Sequence, residues 1–193
     1  MSVEVITGPM FSGKTTELYK KITRWVDVSG TKALIINHSY NTREFTSHSS
    51  YKGISEKIDT QNNSDLWKVD VTQYNIIGVD EANFFDELLA PITKWALQGK
   101  HIVVAGIDSD FKGRSFGTIA ELLPISDSFV KLTAICSRCL KDTESRGEVI
   151  TPCNITPAPF TEKLVKDEKI KDVGGADKYI AVCRRHHSYL YKL

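Results

Sequence analysis

The sequence lacks both a long apolar run and an excess of charge of one sign, and each absence excludes a class of protein. No apolar run approaches the roughly 20 residues that a membrane-spanning helix needs. Charge of one sign is not in excess either, since 25 basic residues are balanced by 24 acidic ones and the net charge is +1. A net electrostatic field that would draw the chain to nucleic acid or to a membrane surface is therefore not expected. We predict neither a nucleic acid nor a membrane among its partners.

Cysteine is also scarce, with 4 residues among 193, which excludes a disulfide-rich secreted scaffold. The first predicted strand and loop begin almost at the first residue, which leaves no room for a signal peptide. The sequence therefore predicts a cytoplasmic protein, in which cysteines serve as metal ligands or free thiols. A hydrophobic content of 41% is ordinary for a globular protein with one main domain and a small appendage.

The most informative segment is GPMFSGKT at residues 8–15. It fits the phosphate-binding pattern G-x-x-x-x-G-K-[ST] at every fixed position, between a predicted strand and a predicted helix. Such a glycine loop points backbone N–H groups at a phosphate, and the helix dipole adds attraction. Lys14 would then contact the β- and γ-phosphates, and the Thr15 hydroxyl would bind Mg²⁺. The pattern predicts a nucleoside triphosphate site, with a simple helix-capping turn as the alternative.

Apolar strand patterns alternate with helical patterns along the first part of the chain. Strands are predicted over residues 3–6, 33–36, 76–80 and 102–105, with a helix over 15–28. A second helix should end near Leu97, and Pro91 must lie in its first turn. Residues 38–65 are polar and lack a period, which predicts a loop region with at most short elements. The alternation is typical of an α/β fold with a parallel sheet covered on both faces.

Two acids end the predicted strand at residues 76–80. An acid at the position of Asp80 is the usual partner of a phosphate loop, because it holds Mg²⁺ directly or through water. The next residue, Glu81, could take a proton from an attacking hydroxyl or orient a water for hydrolysis. The pair alone does not separate a kinase from an ATPase, and two acids that merely cap a helix are a further alternative.

Two short motifs with the same spacing predict a metal site in the last third of the chain. Cys136-Ser-Arg-Cys139 is a C-x-x-C knuckle, and Cys183-Arg-Arg-His186 repeats its spacing with a final histidine. Together they supply a Cys₃His set that suits a closed, tetrahedral, structural Zn²⁺ site. A redox C-x-x-C or unrelated buried thiols are the alternatives, and His187 could replace His186. Cys153 lies outside both pairs and is expected to be a free thiol.

Aromatic residues follow two of the predicted strands. In parallel α/β sheets the ligand lies beyond the carboxyl ends of the strands, where Phe84, Phe111 and Phe116 are found. Each ring is suited to cover a flat base, although such a ring taken singly is more often a core residue than a ligand contact.

Taken together, these motifs resemble those of the type II thymidine kinases, the P-loop deoxynucleoside kinases that carry a zinc lasso domain. The matching segments occur in the family's order and span nearly the whole chain. They are GPMFSGKTTEL (8–18), DEANFF (80–85), GIDSDF (106–111) with Phe116-Gly117, VKLTAIC (130–136) and GGADKY (174–179). A viral or bacterial source would suit so short a chain.

The resemblance implies a fold and an activity. The fold would be a RecA-like P-loop core with a mainly parallel sheet over residues 1–135 and a small zinc-binding lasso domain over 136–193. The activity would be ATP-dependent transfer of the γ-phosphate to the 5′-hydroxyl of thymidine, giving dTMP in pyrimidine deoxynucleoside salvage for DNA synthesis. The family usually forms homotetramers, and the end product dTTP commonly inhibits by occupying the site.

The resemblance also assigns residues to roles, with Glu81 as the general base. The implied ATP-binding set is Gly8, Pro9, Met10, Phe11, Ser12, Gly13, Lys14, Thr15, Arg43, Asp80, Glu81, Ala82 and Asn83. The implied nucleoside-binding set is Met10, Phe84, Ile107, Phe111, Phe116, Ile170, Lys171, Asp172, Val173, Gly174 and Tyr179. Thr15 and Asp80 would serve Mg²⁺, and Cys136, Cys139, Cys183 and His186 would hold zinc.

Three positions depart from the family pattern. Asn41 stands where the family often has an aspartate that helps with Mg²⁺, and Asn83 stands where glutamine is frequent. His186 replaces a cysteine found in many members, an exchange that zinc tolerates.

Two other functions use the same motifs: a P-loop ATPase whose zinc ribbon binds nucleic acid, and a non-catalytic zinc-stabilised scaffold. The balanced charge argues against the first, and the second leaves Lys14, Asp80 and Glu81 without a task.

Overall fold

A computed structural model describes residues 1–40, 56–165, 169–172 and 174–189. The backbone forms two compact units. The first comprises Met1–Thr7, Lys14–Gly106 and Gly117–Val130, and the second comprises Gly8–Gly13, Ile107–Phe116 and Lys131–Leu193. The expected domain boundary between residues 135 and 136 stays a prediction. Asn41, Arg43 and Val173 lie outside the described residues.

A six-stranded sheet forms the frame of the first unit. Its strands are β1 (Ser2–Thr7), β2 (Ala33–His38), β3 (Ile58–Asn63), β4 (Ile76–Asp80), β5 (His101–Gly106) and β6 (Ser128–Lys131). They lie in the order β3–β2–β4–β5–β1–β6. The pairs β1/β5, β2/β3, β2/β4 and β4/β5 are parallel. The predicted α/β fold with a mainly parallel sheet is therefore confirmed.

The first helix, α1 (Lys14–Ser29), covers one face of this sheet. Its buried residues recur at helical spacing at Leu18, Ile22 and Val26, and the helix packs on β1, β4 and β5. Gly30 follows it with φ +68°, the left-handed conformation of a helix C-cap. This helix extends the predicted range by one residue at each end.

The other face packs against the second helix, α2 (Leu89–Leu97). Pro91 is its third residue, so the missing N–H lies in the first turn, as predicted. Ile92 and Trp95 belong to a core cluster together with the sheet residues Val79, Ile102 and Val104 and other apolar side chains. No helix among the described residues is long and apolar enough to cross a membrane.

Strand β3 lies in the stretch where the sequence predicts loops and at most short elements. Only Ile58 at its start is buried, and the rest of the strand is polar, so it carries no apolar alternation that could be recognised. Its backbone pairs with β2 over six residues, from Ala33↔Ile58 to His38↔Asn63. Edge pairing of this kind depends on the neighbouring strand and not on local side-chain pattern.

The second unit contains small β-elements and one helix. Strands β7 (Ala134–Ile135) and β8 (Pro157–Ala158) pair antiparallel, as do β9 (Phe160–Lys163) and β10 (Tyr179–Val182), and α3 spans Ser137–Ser145. Its core cluster consists mostly of small residues: Ala134, Cys136, Ala158, Ala181, Val182 and Cys183. So little apolar volume gives this unit limited stability from packing alone.

Gly117 provides a test of the packing in the first unit. Its φ is +66°, and a Cβ there would lie 2.4 Å from the carbonyl oxygen of Asn83. Gly99 is the matched control, because its φ is +86° but a Cβ would meet nothing within 4 Å. Gly99→Ala should lower the free energy of unfolding by about 1–2 kcal/mol, the cost of the left-handed backbone. Gly117→Ala should lower the free energy of unfolding by about 1–3 kcal/mol more than Gly99→Ala, because its added methyl group would also overpack against the Asn83 backbone. Urea unfolding measures both, and equal losses would show that the contact with Asn83 does not constrain Gly117.

Candidate active site and metal cluster

The phosphate-loop segment Gly8–Gly13 follows β1 and precedes α1 in the chain. Three of its residues have positive φ: Gly8 at 144°, Phe11 at 66° and Gly13 at 82°. A Cβ at Gly8 would lie 2.6 Å from the carbonyl oxygen of Leu132, so this position admits no side chain. The Ser12 hydroxyl donates to the carbonyl oxygen of Pro9 at 2.8 Å and braces the turn. Alternating backbone conformations of this kind turn N–H groups toward an anion.

Met10 has a backbone contact that the sequence did not predict. Its N–H donates to the Thr161 hydroxyl oxygen at 2.9 Å. Thr161 is buried in β9, 151 residues further along the chain. The Met10 side chain is half-buried, whereas the Phe11 ring is exposed. The loop is thus fixed by a side chain of its own unit.

In the first unit, the start of α1 meets the end of β4. The Thr15 hydroxyl donates to Asp80 Oδ2 at 2.8 Å, and the backbone N–H of Glu81 donates to Asp80 Oδ1 at 2.9 Å. Burial raises the pKa of Asp80, while the Thr15 and Glu81 hydrogen bonds and the Lys14 charge act in the opposite direction. A hydroxyl and a carboxylate in contact at a helix N-terminus are a donor set that Mg²⁺ accepts.

Glu81 has an uncommon backbone conformation. Its φ of 51° and ψ of 38° are left-handed, which a residue with a side chain seldom adopts. The turn ends β4 and starts a short 3₁₀ helix at Ala82–Phe84, leaving the Glu81 side chain half-buried. Strained residues of this kind persist where the surrounding structure fixes them, and they cluster at functional sites.

Two further buried polar side chains lie near Asp80, and the sequence did not single out either. Tyr19 is one helical turn beyond Thr15 on α1, and burial together with the charge of Asp80 raises its pKa. Asn37 is in register with Asp80 across the β2/β4 pair, and its side chain is 2% exposed. Among the described residues, Asn37 Nδ2 has no hydrogen-bond partner. Asp80 therefore has a polar environment extending below the protein surface.

Phe84 lies in an aromatic cluster of the first unit. Its ring centroid is 5.7 Å from that of His38 and 5.9 Å from that of Tyr40. His38 is buried and Tyr40 is exposed, and both come directly from the end of β2. Asn83 is fully buried, and Ala82 packs in the core. The cluster gives Phe84 a fixed position without isolating its ring from solvent.

In the second unit, Phe111 and Phe116 are both buried and Ile107 is half-buried. The turn between the two phenylalanines is organised by Asp110, whose Oδ1 accepts the backbone N–H groups of Lys112 and Arg114, both at 2.9 Å. Oδ2 accepts from the Arg114 guanidinium at 2.9 Å. The Phe111 ring lies 5.7 Å from Tyr189 in an edge-on contact. Two of the three predicted base-binding rings, Phe111 and Phe116, thus flank a turn that Asp110 stabilises.

The segment around Asp172 is held by charge. Its carboxylate accepts from Lys178 Nζ at 2.9 Å and from Lys163 Nζ at 3.1 Å, and these two lysines lower the pKa of Asp172. Tyr179 donates its hydroxyl to the Asp172 carbonyl oxygen at 2.8 Å. Ile170 and Lys171 are exposed, and Gly174 is half-buried. Asp172 and Tyr179, both predicted to bind nucleoside, therefore also hold this segment in place.

The four predicted metal ligands come together in the second unit. One ligand atom from each of Cys136, Cys139, Cys183 and His186 lies within 4.8 Å of all the others. The Sγ atoms of Cys139 and Cys183 are 3.8 Å apart, and His186 Nδ1 lies 3.5, 3.5 and 3.6 Å from the three sulfurs. A tetrahedral zinc ion with bonds of about 2.3 Å to sulfur and 2.0 Å to nitrogen requires a distance of about 3.8 Å between two sulfurs and about 3.5 Å between sulfur and nitrogen. The cluster could therefore hold one metal ion.

The cluster also has supporting contacts. Burial opposes ionisation of Cys136, but the Cys139 and Cys183 N–H groups and the His186 ring lower its pKa to about 6. The Asp142 carboxylate lies 3.5 Å from His186 Nε2, the usual arrangement behind a metal-bound imidazole. His187 is buried against Phe160 and is not part of the ligand set. Cys153 is an exposed free thiol, as predicted.

Three features together define a P-loop nucleotide-binding protein of the α/β class. They are a glycine loop before a helix, a hydrogen-bonded acid at the end of a parallel strand, and a tetrahedral Cys₃His cluster. Comparison with known proteins identifies the family. The family model described as thymidine kinase matches residues 1–187. This chain belongs to the thymidine kinase family, as its motifs predicted, and is a transferase.

Individual relatives agree along almost the whole chain. The thymidine kinase of Choristoneura fumiferana entomopoxvirus is 38% identical over 192 residues, covering 95% of each chain. The thymidine kinase of fowlpox virus is 35% identical and also covers 95% of each chain. The cytosolic thymidine kinase of Bos taurus is 34% identical over 94% of this chain and 70% of its own. Family membership selects a kinase over the nucleic-acid-stimulated ATPase and the non-catalytic scaffold.

The cluster predicts which residues retain a metal. His186→Ala should leave the purified protein without bound metal and lower its melting temperature, because the remaining three ligands do not close a tetrahedral site and the unit has little core. Elemental analysis after dialysis and a thermal melt measure the two effects. Cys153→Ser is the control and should leave both unchanged. Metal retained at the wild-type level in His186→Ala would rule out this ligand set.

Proposed function

We propose that this protein transfers the γ-phosphate of ATP to the 5′-hydroxyl of thymidine and releases dTMP and ADP. The observation that carries the proposal is the contact of Thr15 with Asp80, followed directly by the strained Glu81, in a chain that belongs to the thymidine kinase family. This arrangement offers a cation site and an adjacent carboxylate, the two groups that phosphoryl transfer to a hydroxyl requires.

On the donor side, backbone N–H groups of Gly8 and Phe11–Gly13 would bind the phosphates, since Pro9 has no N–H and the Met10 N–H donates to Thr161. Lys14 would neutralise the charge on the β- and γ-phosphates. Thr15 and Asp80 would hold Mg²⁺, which supplies charge stabilisation to the transferring phosphoryl group when bound. Arg43 would add a further positive charge. Pro9, Ser12, Ala82 and Asn83 shape the backbone on either side of these groups.

On the acceptor side, Glu81 would accept the proton of the 5′-hydroxyl as the oxygen forms its bond to the γ-phosphorus. The bond between that phosphorus and the bridging oxygen of ATP breaks, and the electron pair leaves with ADP. The residues that the family resemblance assigns to the nucleoside are Met10, Phe84, Ile107, Phe111, Phe116, Ile170, Lys171, Asp172, Val173, Gly174 and Tyr179. The ion pairs of Asp172 support a role in which backbone groups of its segment contact the base.

Metal content, inhibition, location and oligomeric state follow from the family resemblance as proposals for this chain. We infer that the cluster holds a structural Zn²⁺, that dTTP inhibits by occupying the site, and that the protein is cytoplasmic and does not bind nucleic acid. We also infer a homo-oligomer, in keeping with the family's tetramers. Strand β6 supports a homo-oligomer, because an exposed edge strand can pair with another chain. This edge strand is exposed at all four residues and includes Phe129 and Val130.

The activity itself is tested with γ-labelled ATP and each of the deoxynucleosides in separate reactions. Label should appear in dTMP in a thymidine-dependent manner. ATP hydrolysis without a labelled nucleotide product would contradict the proposal.

Glu81→Gln tests the general base. Turnover should fall by about 10²- to 10⁴-fold, because the amide cannot take the proton, while ATP affinity stays near the wild-type value. Steady-state rates and calorimetric ATP titration give the two quantities. Glu87→Gln is the matched control, since Glu87 is an exposed acid that accepts a hydrogen bond from Trp67 Nε1. Near-normal turnover in Glu81→Gln would remove Glu81 from this role.

Asp80→Asn tests the cation site. The Mg²⁺ concentration for half-maximal activity should rise by about 10- to 100-fold, the range for weakened metal coordination. Rates measured across a Mg²⁺ series at saturating ATP and thymidine report this shift. Asp27→Asn, an exposed carboxylate change on α1, should leave the series unchanged. An unaltered Mg²⁺ dependence in Asp80→Asn would mean that Asp80 does not hold the cation.

A further inference from the structure

Three consecutive residues of β9 are buried, and each contacts a different part of the second unit. Thr161, Glu162 and Lys163 are 4%, 4% and 8% exposed, respectively. Side chains alternate along a strand, so Thr161 and Lys163 share one face and Glu162 points to the other. Polar side chains are seldom buried in succession unless each has a partner that compensates for lost solvation. The identity of these partners indicates what β9 does.

Thr161 reaches the phosphate loop. Its hydroxyl oxygen accepts the Met10 N–H at 2.9 Å, and that N–H lies two residues beyond Gly8, where the loop admits no side chain. An N–H bonded to Thr161 is held in one direction, which restricts the backbone on both sides of it. The loop conformation that binds phosphate is therefore stabilised before any ligand arrives, and preorganisation of this kind raises affinity.

Glu162 reaches the metal cluster from the opposite face of the strand. Its Oε1 accepts from the Arg138 guanidinium at 2.7 Å and from the Ser188 hydroxyl at 2.5 Å. Arg138 lies between the ligands Cys136 and Cys139 in sequence, and its other terminal nitrogen donates to the carbonyl oxygen of His186 at 3.4 Å. One buried carboxylate thus fixes an arginine that lies within one half of the ligand set in sequence and contacts the other half.

A second connection runs through the backbone. Strand β10 pairs with β9 in the register Ala181↔Thr161 and Val182↔Phe160, and the next residue of the chain is the ligand Cys183. The strand that carries Thr161 is therefore tied to the cluster by its partner strand as well as by Glu162. Loss of order at the cluster would reach Thr161 through two routes.

We propose that Thr161 and Glu162 are positioning residues that connect the metal cluster to the phosphate loop, so that an intact cluster increases the affinity of the loop for ATP. The inference deepens the proposed function and rests on its assignment of residues 8–13 to the phosphates. Coupling between two sites is reciprocal in binding free energy, so bound nucleotide should also raise the affinity of the cluster for its metal.

The first experiment measures the affinity of the metal-loaded protein for a non-hydrolysable ATP analogue with Mg²⁺ and without thymidine, by calorimetry. Thr161→Val keeps the shape and removes the hydroxyl, and it should weaken binding by about 3- to 10-fold, the range for one neutral hydrogen bond. Thr161→Ser restores the hydroxyl and should return affinity to within about twofold of wild type. Glu162→Gln should also weaken binding.

The matched control for Glu162 is Glu148→Gln, in which an exposed carboxylate loses its ion pair with Arg146 in the same unit. It should leave the affinity unchanged. Unchanged affinity in both Thr161→Val and Glu162→Gln, with metal content and melting temperature preserved, would overturn the proposal. Equal weakening in Thr161→Ser and Thr161→Val would also overturn it, because the hydroxyl would then have no specific role.

The second experiment does not depend on activity. The fraction of metal that the protein retains at equilibrium against a coloured competing chelator is measured with and without the ATP analogue. The analogue should raise the retained fraction in the wild type and in Glu148→Gln, and this protection should be lost in Thr161→Val. A retained fraction that is insensitive to the analogue in the wild type would overturn the proposal. A protein that shows the protection but does not phosphorylate thymidine would contradict the proposed activity alone.

Discussion

The hydrogen bond from the Thr15 hydroxyl to Asp80 is the contact on which the candidate site of the first unit is built. It joins the first turn of α1 to the last residue of β4, and it places a buried carboxylate at the positive end of a helix dipole. Burial alone would favour the neutral acid, so the hydrogen-bond donors around Asp80 are needed to favour its charged form. Glu81 follows directly in a left-handed turn. A candidate cation site and a candidate base are therefore adjacent in sequence at one strand end.

The second unit differs from the first in the source of its stability. Its core cluster is built mostly from alanines, a valine and cysteines, and such a cluster buries too little apolar surface to be stable by packing alone. Four ligand atoms at tetrahedral spacing could hold a metal ion, and metal binding would add directly to folding stability. Buried ion pairs extend this rigidity outward: Glu162 holds Arg138, and Lys163 holds Asp172. The result is a small unit whose polar contacts are fixed by charge and by metal ligands more than by apolar volume.

Much of this arrangement could be predicted from short segments. The GPMFSGKT loop, the strand that ends in Asp80 and the matched Cys-x-x-Cys and Cys-x-x-His pairs are local patterns, and their spacing is a direct consequence of the geometry that phosphate and metal binding require. The preference for His186 over His187 came from the same spacing, and the cluster has His186. Strand β3 was harder to predict, because its polar residues show no alternation of apolar and polar side chains. It is a strand because its backbone pairs with β2.

The sequence by itself determined the family, the class of fold and the residue types of the phosphate loop, the acid pair and the metal cluster. It could not indicate Tyr19 and Asn37 near Asp80, because that proximity arises from the packing of α1 and the register of β2 against β4. Nor could it indicate that Thr161 accepts the N–H of Met10, a contact between residues 151 positions apart. Local motifs are set by the chemistry of the group they bind, whereas contacts between distant residues exist only once strands and helices have packed.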